Sequence, residues 1–306
     1  MAEPLFLAAA VIPTARPPLP LVPPPARPLA GVRYAEIETS RLCNRSCSWC
    51  PTGQTAWRKH QELMDWGLFA KITAELGAVG FDGYFAFHNY NEPLANPRLL
   101  REITWVRTEV PHAKPSVYTN GDLLKRDLLV QMRDEGVKYI RVTRYPHRAT
   151  TVPTYEALRR WLKLAGLDGP DFDWRFSEVR QGLAATWTDA GTGTRVEVIR
   201  PAIDTYNDRG GTAVVPKDGE LRRSPCLMTA TSISVNYLGE VKMCCNVEPL
   251  EEQHRQYVVG NVRDASLGEL FGGPLMAVWR ERQAQADWSA SAACRTCVQP
   301  LPETRR

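Results

Sequence analysis

The stretch "AEIETSRLCNRSCSWCP", residues 35–51, decides how this chain folds. Its first half, extended back to Tyr34, alternates apolar and polar residues as far as Thr39, the period-two pattern of a half-buried strand. Cys43, Cys47 and Cys50 follow at once with the spacing C-x3-C-x2-C, so they sit on a loop leaving that strand. Zinc in a closed structural site takes four protein ligands, and no fourth lies close by. A 4Fe-4S cluster held by three thiolates would leave one iron open to a small molecule.

Strand and helix patterns alternate downstream. "GYFAFHNYNEPLANPRLL" (83–100) reads as a buried strand ending in Asn91-Glu92-Pro93. "KPSVYTNGDLL" (114–124) is a strand followed by the turn Thr119-Asn120-Gly121, and "GVKYIRVTRYPH" (136–147) is a strand with Arg144 near its end. Between them, "DWGLFAKITAELGAVG" (65–80) starts at Asp65 as N-cap, and residues 97–110 and 123–136 carry helix-period apolar positions. The alternation, from about Gly31 to about Val215, predicts a parallel α/β arrangement with active residues at the strand C-terminal ends.

After Val215 the pattern changes. "RRSPCLMTATSISVNYLGEVKMCCNVEP" (222–249) contains two alternating strands around Tyr237-Leu238-Gly239, a hairpin signal. The remaining cysteines are Cys226, the adjacent pair Cys244 and Cys245, and the C-x2-C pair Cys294 and Cys297. Four thiolates from this group would hold zinc or a 4Fe-4S cluster. The 175 residues between the two cysteine groups hold none, a distribution that suits two metal sites in a reducing compartment, the cytoplasm.

The bulk numbers exclude other classes. A net charge of +4 over 306 residues, without a dense basic stripe, does not suggest nucleic-acid binding. No apolar run approaches the ~20 residues that cross a bilayer. Residues 1–30 read as a Pro-rich arm of extended, polyproline character, with a secreted precursor as the alternative.

The spacing C-x3-C-x2-C with Trp49 before its last cysteine resembles the signature of the radical S-adenosyl-L-methionine (SAM) enzymes. The resemblance implies a partial, open barrel over 31–215. It implies a 4Fe-4S cluster on Cys43, Cys47 and Cys50, whose open iron chelates SAM; reduction splits SAM to a hydrogen-abstracting 5′-deoxyadenosyl radical. An external one-electron reductant such as flavodoxin or ferredoxin would drive it. Glu92 stands where the family's Gly-Gly-Glu-type motif meets the SAM amino group, although Tyr90 and Asn91 replace the glycines. Trp49, Thr119 and Asn120 would join it in binding SAM. Arg144 would pair with the SAM carboxylate or be an ordinary surface arginine.

Residues 216–306 resemble the shortened "twitch" form of the SPASM extension, a small α+β domain with a β-hairpin. There Cys226, Cys244, Cys294 and Cys297 would hold a second, auxiliary 4Fe-4S cluster. "FHNYNEPL", "YTNGD" and "DRGG" together look like the aminoglycoside-biosynthetic branch of the family. In its dehydrogenase type an Arg-Gly-Gly run places an arginine against the substrate hydroxyl, and Arg209 matches it; the bland alternative is a loop with a solvated arginine. The hairpin ligand of that type lies eighteen positions after the first twitch cysteine, which selects Cys244 and leaves Cys245 spare. Adjacent strand residues point to opposite faces, so the spare thiol would face the barrel. A spare cysteine is the hydrogen donor in the neomycin C epimerase type.

The expectation is therefore an epimerase, inverting a C–H centre of an aminoglycoside with Cys245 as catalytic hydrogen donor. The rivals are a SAM-dependent dehydrogenase that turns a hydroxyl into a ketone, and a non-catalytic iron–sulfur or zinc scaffold. An ammonium-rich substrate needs local carboxylates, and Glu36, Glu38, Asp204, Asp208 and Glu248 flank the motifs as candidates beside Arg209.

Overall fold

The computed structural model describes residues 29–51, 62–146, 151–180, 182–203, 206–213, 215 and 221–298. Almost all of the Pro-rich arm, and Asp204, lie outside them. The opening strand forms as β1, Tyr34–Ile37, with Ala35 and Ile37 fully buried and Glu36 between them on the opposite face. Helix α1, Trp66–Ala78, starts where Asp65 accepts from the Leu68 amide at 3.0 Å. Then come β2 (Tyr84–Ala86), α2 (Leu99–Glu109), β3 (Lys114–Thr119), α3 (Arg126–Asp134), β4 (Tyr139–Thr143) and α4 (Tyr155–Ala165). Each crossover lays an apolar helix stripe on one face of the sheet. Phe69 and Ile72 of α1, Ile103 of α2, Leu129 of α3 and Leu158 of α4 join Ile37, Phe85, Val117 and Ile140 in one core. Burying one such side chain fully is worth about 2 kcal/mol.

After α4 the expected alternation stops. β5 (Arg175–Val179) and β6 (Gly182–Thr188) run antiparallel, β6 pairs antiparallel with β7 (Arg195–Pro201), and β7 lies parallel to β4. Period-two sequence gives a strand but not its direction, so three strands in succession read as part of a strand–helix repeat. The hairpin forms as expected from β8 (Ser232–Val235) and β9 (Glu240–Lys242), with Gly239 at φ +87° in its turn. β10 (Val258–Asn261) extends it.

The strands make one sheet in the order β10-β9-β8-β1-β2-β3-β4-β7-β6-β5. Its centre, β8 to β7, is six parallel strands, so their C-terminal ends meet at one edge. β8 lies beyond the boundary expected at 215/216, yet it is the parallel neighbour of β1. The C-terminal segment is thereby anchored to the barrel by backbone pairing. Short helices α5 (Met228–Thr231), α6 (Leu267–Gly272), α7 (Pro274–Ala284) and α8 (Ala292–Arg295) complete it. Among the described residues no helix is long and apolar enough to cross a membrane.

Gly121, in the turn after β3, has φ +75°, and a Cβ there would stand 2.4 Å from Val142 Cγ1 and 3.0 Å from Trp161 Cζ2. Gly121→Ala is expected to destabilise the protein by about 2–4 kcal/mol, adding overpacking to left-handed backbone strain. Gly80→Ala, at φ +66° with nothing within 4 Å, should cost only the backbone part, about 1 kcal/mol. Thermal or denaturant melts check the pair, and equal losses would contradict the steric argument.

Candidate active site

The parallel strand ends open onto a cavity lined on one side by Cys43, Cys47 and Cys50 and on the other by Arg209 and Cys245. The residues of its wall follow from strand alternation. Ala35 and Ile37 face the helices, so Glu36 faces inward; Val117 and Ile140 do the same for Tyr118 and Arg141. Glu36, His88, Tyr118 and Arg141 thus line the cavity from four consecutive strands or their ends.

The three-cysteine loop is short and tied by its own backbone, the Cys50 amide donating to the Cys47 carbonyl at 3.1 Å. Trp49, 7% exposed, packs with Ile203 and Tyr206 beside Cys47 and Tyr145. Burial pushes the Cys43 thiol up to about 12 and the Cys47 thiol up to about 11, with the neighbouring thiols adding to both. Three thiols on one loop at one cavity are a donor set that an iron cluster would take as thiolates.

Glu92, at the end of the β2 segment, lines the cavity with Thr119 and Asn120. It accepts from the Leu94 amide at 3.0 Å, the Thr119 hydroxyl at 2.6 Å and the Asn120 amide at 2.7 Å. Three of about four acceptor positions are used. The remaining one, with Thr119 and Asn120, is what this wall offers an ammonium. Arg144 does not line the cavity: it donates to Asp122 at 2.8 Å, and its guanidinium lies over Trp161. Burial opposes ionisation of Asp122, but hydrogen bonds from Arg45 and Arg144 outweigh it and hold the carboxyl at about 2. Arg45, which the sequence did not single out, does line the cavity.

Of the substrate-site candidates, Glu36 and Arg209 reach the cavity; Glu38, Asp208 and Glu248 do not. Glu38 accepts from the Tyr90 amide, Asp208 from the Thr296 hydroxyl, and Glu248 from the Leu250 amide. Glu36, Glu38 and Glu248 all feel the charge of Lys242, which is fully buried and donates to Asn89 at 2.6 Å. A buried ammonium without such company would be costly. Asn89 also donates to the Cys245 carbonyl at 3.0 Å, so the Lys242–Asn89 contact fixes where Cys245 stands.

Arg209 sits at φ +53°, a left-handed conformation that costs a non-glycine residue about 1 kcal/mol or more. The loop is held from outside. His254 Nδ1 accepts from the Glu248 amide at 3.0 Å, which makes Nε2 the protonated nitrogen, and Nε2 donates to the Gly210 carbonyl at 3.1 Å. Arg209 then reaches Asn246 Oδ1 at 3.1 Å and lies over the Tyr90 ring.

The other cysteines gather elsewhere. Cys226, Cys244, Cys294 and Cys297 line a second, smaller cavity with Arg222, Gln283 and Trp288. Donors point at its sulfurs: Asn207 and Asn246 amides at 3.1 and 3.4 Å from Cys297 Sγ, Arg222 at 3.7 Å, and Gln283 at 3.9 Å from Cys294 Sγ. Such donors suit thiolates bound to a cluster. Among the described residues no three His, Cys, Asp or Glu side chains converge as one ion's ligands would. Four thiols lining one small cavity are the ligand number that zinc or a four-iron cluster takes. Cys244 and Cys245 therefore line different cavities, as expected, but not by strand alternation, since β9 ends at Lys242 and the pair lies in the turn beyond it.

Residues 226–298 match the model of the SPASM iron–sulfur cluster-binding domain. Over 266 residues the chain is 23% identical to the S-adenosyl-L-methionine-dependent 2-deoxy-scyllo-inosamine dehydrogenase of Niallia circulans, covering 86% of this chain and 91% of the relative. The crystal structure of BtrN in complex with AdoMet and 2-DOIA superposes with a TM-score of 0.64 at 22% identity, covering 87% of this chain and 92% of BtrN. An open conformation of BtrN gives 0.58 at 19% identity and the same coverage. The fold is thus a radical SAM-type open β/α barrel followed by a small auxiliary domain.

These likenesses correct the expected kinship with neomycin C epimerase, and with it an isomerase acting through Cys245: the relative matched along nearly the whole chain is a dehydrogenase. The sign that suggested an epimerase was one cysteine beside a cluster ligand. In the fold that cysteine is a half-buried thiol, kept protonated by desolvation, that hydrogen-bonds the Glu36 carboxyl.

Proposed function

We propose that this chain is a radical SAM dehydrogenase that oxidises a hydroxyl of an aminocyclitol or amino sugar to a ketone, in the cytoplasm, using two 4Fe-4S clusters. One observation carries the proposal: a single cavity joins the Cys43–Cys47–Cys50 loop to Arg209 and to the turn that delivers Cys245. The Niallia circulans enzyme, whose name specifies oxidation of an aminocyclitol, supports the substrate class. When bound, SAM on the reduced three-thiolate cluster supplies a radical able to take hydrogen from an unactivated carbon.

The chain's own residues do the rest. Cys43, Cys47 and Cys50 hold the first cluster, and Cys226, Cys244, Cys294 and Cys297 the second. Trp49, Glu92, Thr119 and Asn120 form the polar and aromatic wall that receives SAM. Arg209, pinned by its strained turn, offers charge-assisted hydrogen bonds to the substrate oxygen. Glu36 places a carboxylate in the wall that faces the substrate. A flavodoxin or ferredoxin supplies the single electron.

The test is to incubate the reconstituted, reduced enzyme and SAM with 2-deoxy-scyllo-inosamine and a panel of aminoglycosides, then weigh the products. The expected product is two mass units lighter than its substrate, with one 5′-deoxyadenosine formed per turnover. A product made in D₂O that is one mass unit heavier than its substrate, with the deuterium bound to carbon, would overturn the assignment.

A further inference from the structure

Two carboxylates line the main cavity, Glu36 and Glu92. Both oxygens of Glu92 are engaged by Leu94, Thr119 and Asn120. Those of Glu36 are less engaged: Oε2 has no hydrogen-bond partner, His88 Nε2 stands 3.6 Å from Oε1, beyond hydrogen-bond length, and the Cys245 thiol is the hydrogen-bond partner of the carboxyl. His88 Nδ1 and the Tyr90 hydroxyl, in the same wall, are also buried without partners. A polar group left this way beside a cavity costs about 1–3 kcal/mol unless something else satisfies it.

Turning an alcohol into a ketone removes the hydroxyl proton as well as the carbon-bound hydrogen, and that proton needs an acceptor. Arg209 does not serve, because a guanidinium stays protonated. Cys245 does not serve either, since burial keeps it a neutral thiol.

We propose that Glu36 is the general base of the reaction, taking the hydroxyl proton of the substrate while Arg209 holds the oxygen; this rests on the dehydrogenase assignment above. In this step the O–H bond breaks, its electron pair stays on the substrate oxygen, and the proton forms a new O–H bond on Glu36. No electron enters or leaves.

The surroundings suit that task. Burial pushes the Glu36 carboxyl up to about 7, against the charges of Lys242 and Arg209 and the hydrogen bond with Cys245. A base poised near neutrality combines the ionised form with useful basicity. His88 stays neutral, pressed down to about 3 by burial and then by Arg209, Arg141 and Lys242. It is fixed by stacking on Tyr118, ring centroids 4.2 Å apart. Lys242 from β9, Arg209 and Cys245 from the two loops, His88 after β2 and Tyr118 on β3 are the titratable and charged groups that face Glu36.

The holoenzyme is assayed for ketone formed from 2-deoxy-scyllo-inosamine across pH. In the wild type the rate should rise with pH and reach half its plateau at about 7, because only the ionised carboxylate accepts the proton. Glu36→Gln should lower the plateau by about 100-fold or more and abolish that rise, while Glu36→Asp should recover part of the rate with a displaced midpoint. Both variants must retain wild-type iron content and SAM cleavage without substrate, which excludes misfolding. Infrared difference spectra supply a second readout. A protonated-carboxyl band should vanish as pH rises through about 7, shift when the inosamine is added, and be missing from Glu36→Gln. Glu36→Gln forming ketone at the wild-type rate with the same pH rise would overturn the proposal. If the wild type makes no ketone, the dehydrogenase assignment falls instead, and a missing or unresponsive infrared band then overturns the base.

Discussion

Cys47→Ala is expected to abolish 5′-deoxyadenosine formation and to remove about half of the bound iron, because three thiolates are the minimum that holds a cluster with one open iron. Cys47 is the middle cysteine of a loop whose backbone closes on it, the Cys50 amide bonding its carbonyl at 3.1 Å. No neighbour substitutes: among the cavity's described residues the remaining thiols are Cys43 and Cys50, the other two proposed ligands, and Cys245, held by Asn89 and hydrogen-bonded to Glu36. The auxiliary cavity lies apart and should keep its iron. The effect should therefore be all-or-none for SAM cleavage yet partial for colour and iron. Cys43→Ala and Cys50→Ala should match it. Normal SAM cleavage in any of the three would sink the ligand assignment, and loss of all iron would show that the two sites do not assemble independently.

The parts of the site legible in the sequence were those written in local pattern. A strand running straight into C-x3-C-x2-C placed the cluster loop, and Asp65, Thr119-Asn120 and the Tyr237-Leu238-Gly239 turn announced themselves by type. Other features depended on pairings between distant residues. β8 lies beside β1 across almost 200 residues of chain, and nothing in "SISV" names its neighbour. His88, Tyr118 and Arg141 are single inward positions whose meaning appears only once the helices are seen to cover the other face. Arg144 reads as a SAM ligand because it stands near the end of a strand, but Asp122, in the loop after β3, pairs with it at 2.8 Å. Glu38, Asp208 and Glu248 flank the right motifs and still turn into backbone amides or hydroxyls instead of the cavity. Flanking a motif sets distance along the chain, whereas the cavity is defined by side-chain direction.

Cys244→Ala and Cys245→Ala should differ sharply although the residues are adjacent. Cys244, 8% exposed, packs with Met243, Val247, Tyr257 and Cys294 and faces the auxiliary cavity. Its loss should strip the second cluster, remove about half of the iron and stop ketone formation, while SAM cleavage at the first cluster persists. Cys245 faces the barrel cavity, where its thiol hydrogen-bonds Glu36 and its carbonyl is held by Asn89. The backbone contact survives substitution by alanine, so the turn should keep its path and both clusters should remain. Losing the thiol removes one stabilising hydrogen bond from the Glu36 carboxylate and so should raise its pKa further. The midpoint of the pH–rate curve should then move upward from about 7, with ketone formation at high pH falling by less than about tenfold. Iron analysis, SAM cleavage and the pH profile of ketone formation read the three effects separately. If Cys245→Ala loses iron while Cys244→Ala keeps it, the division of the pair is reversed. If Cys245→Ala makes no ketone at any pH with both clusters intact, the thiol takes part in the chemistry itself and is more than a neighbour of the base.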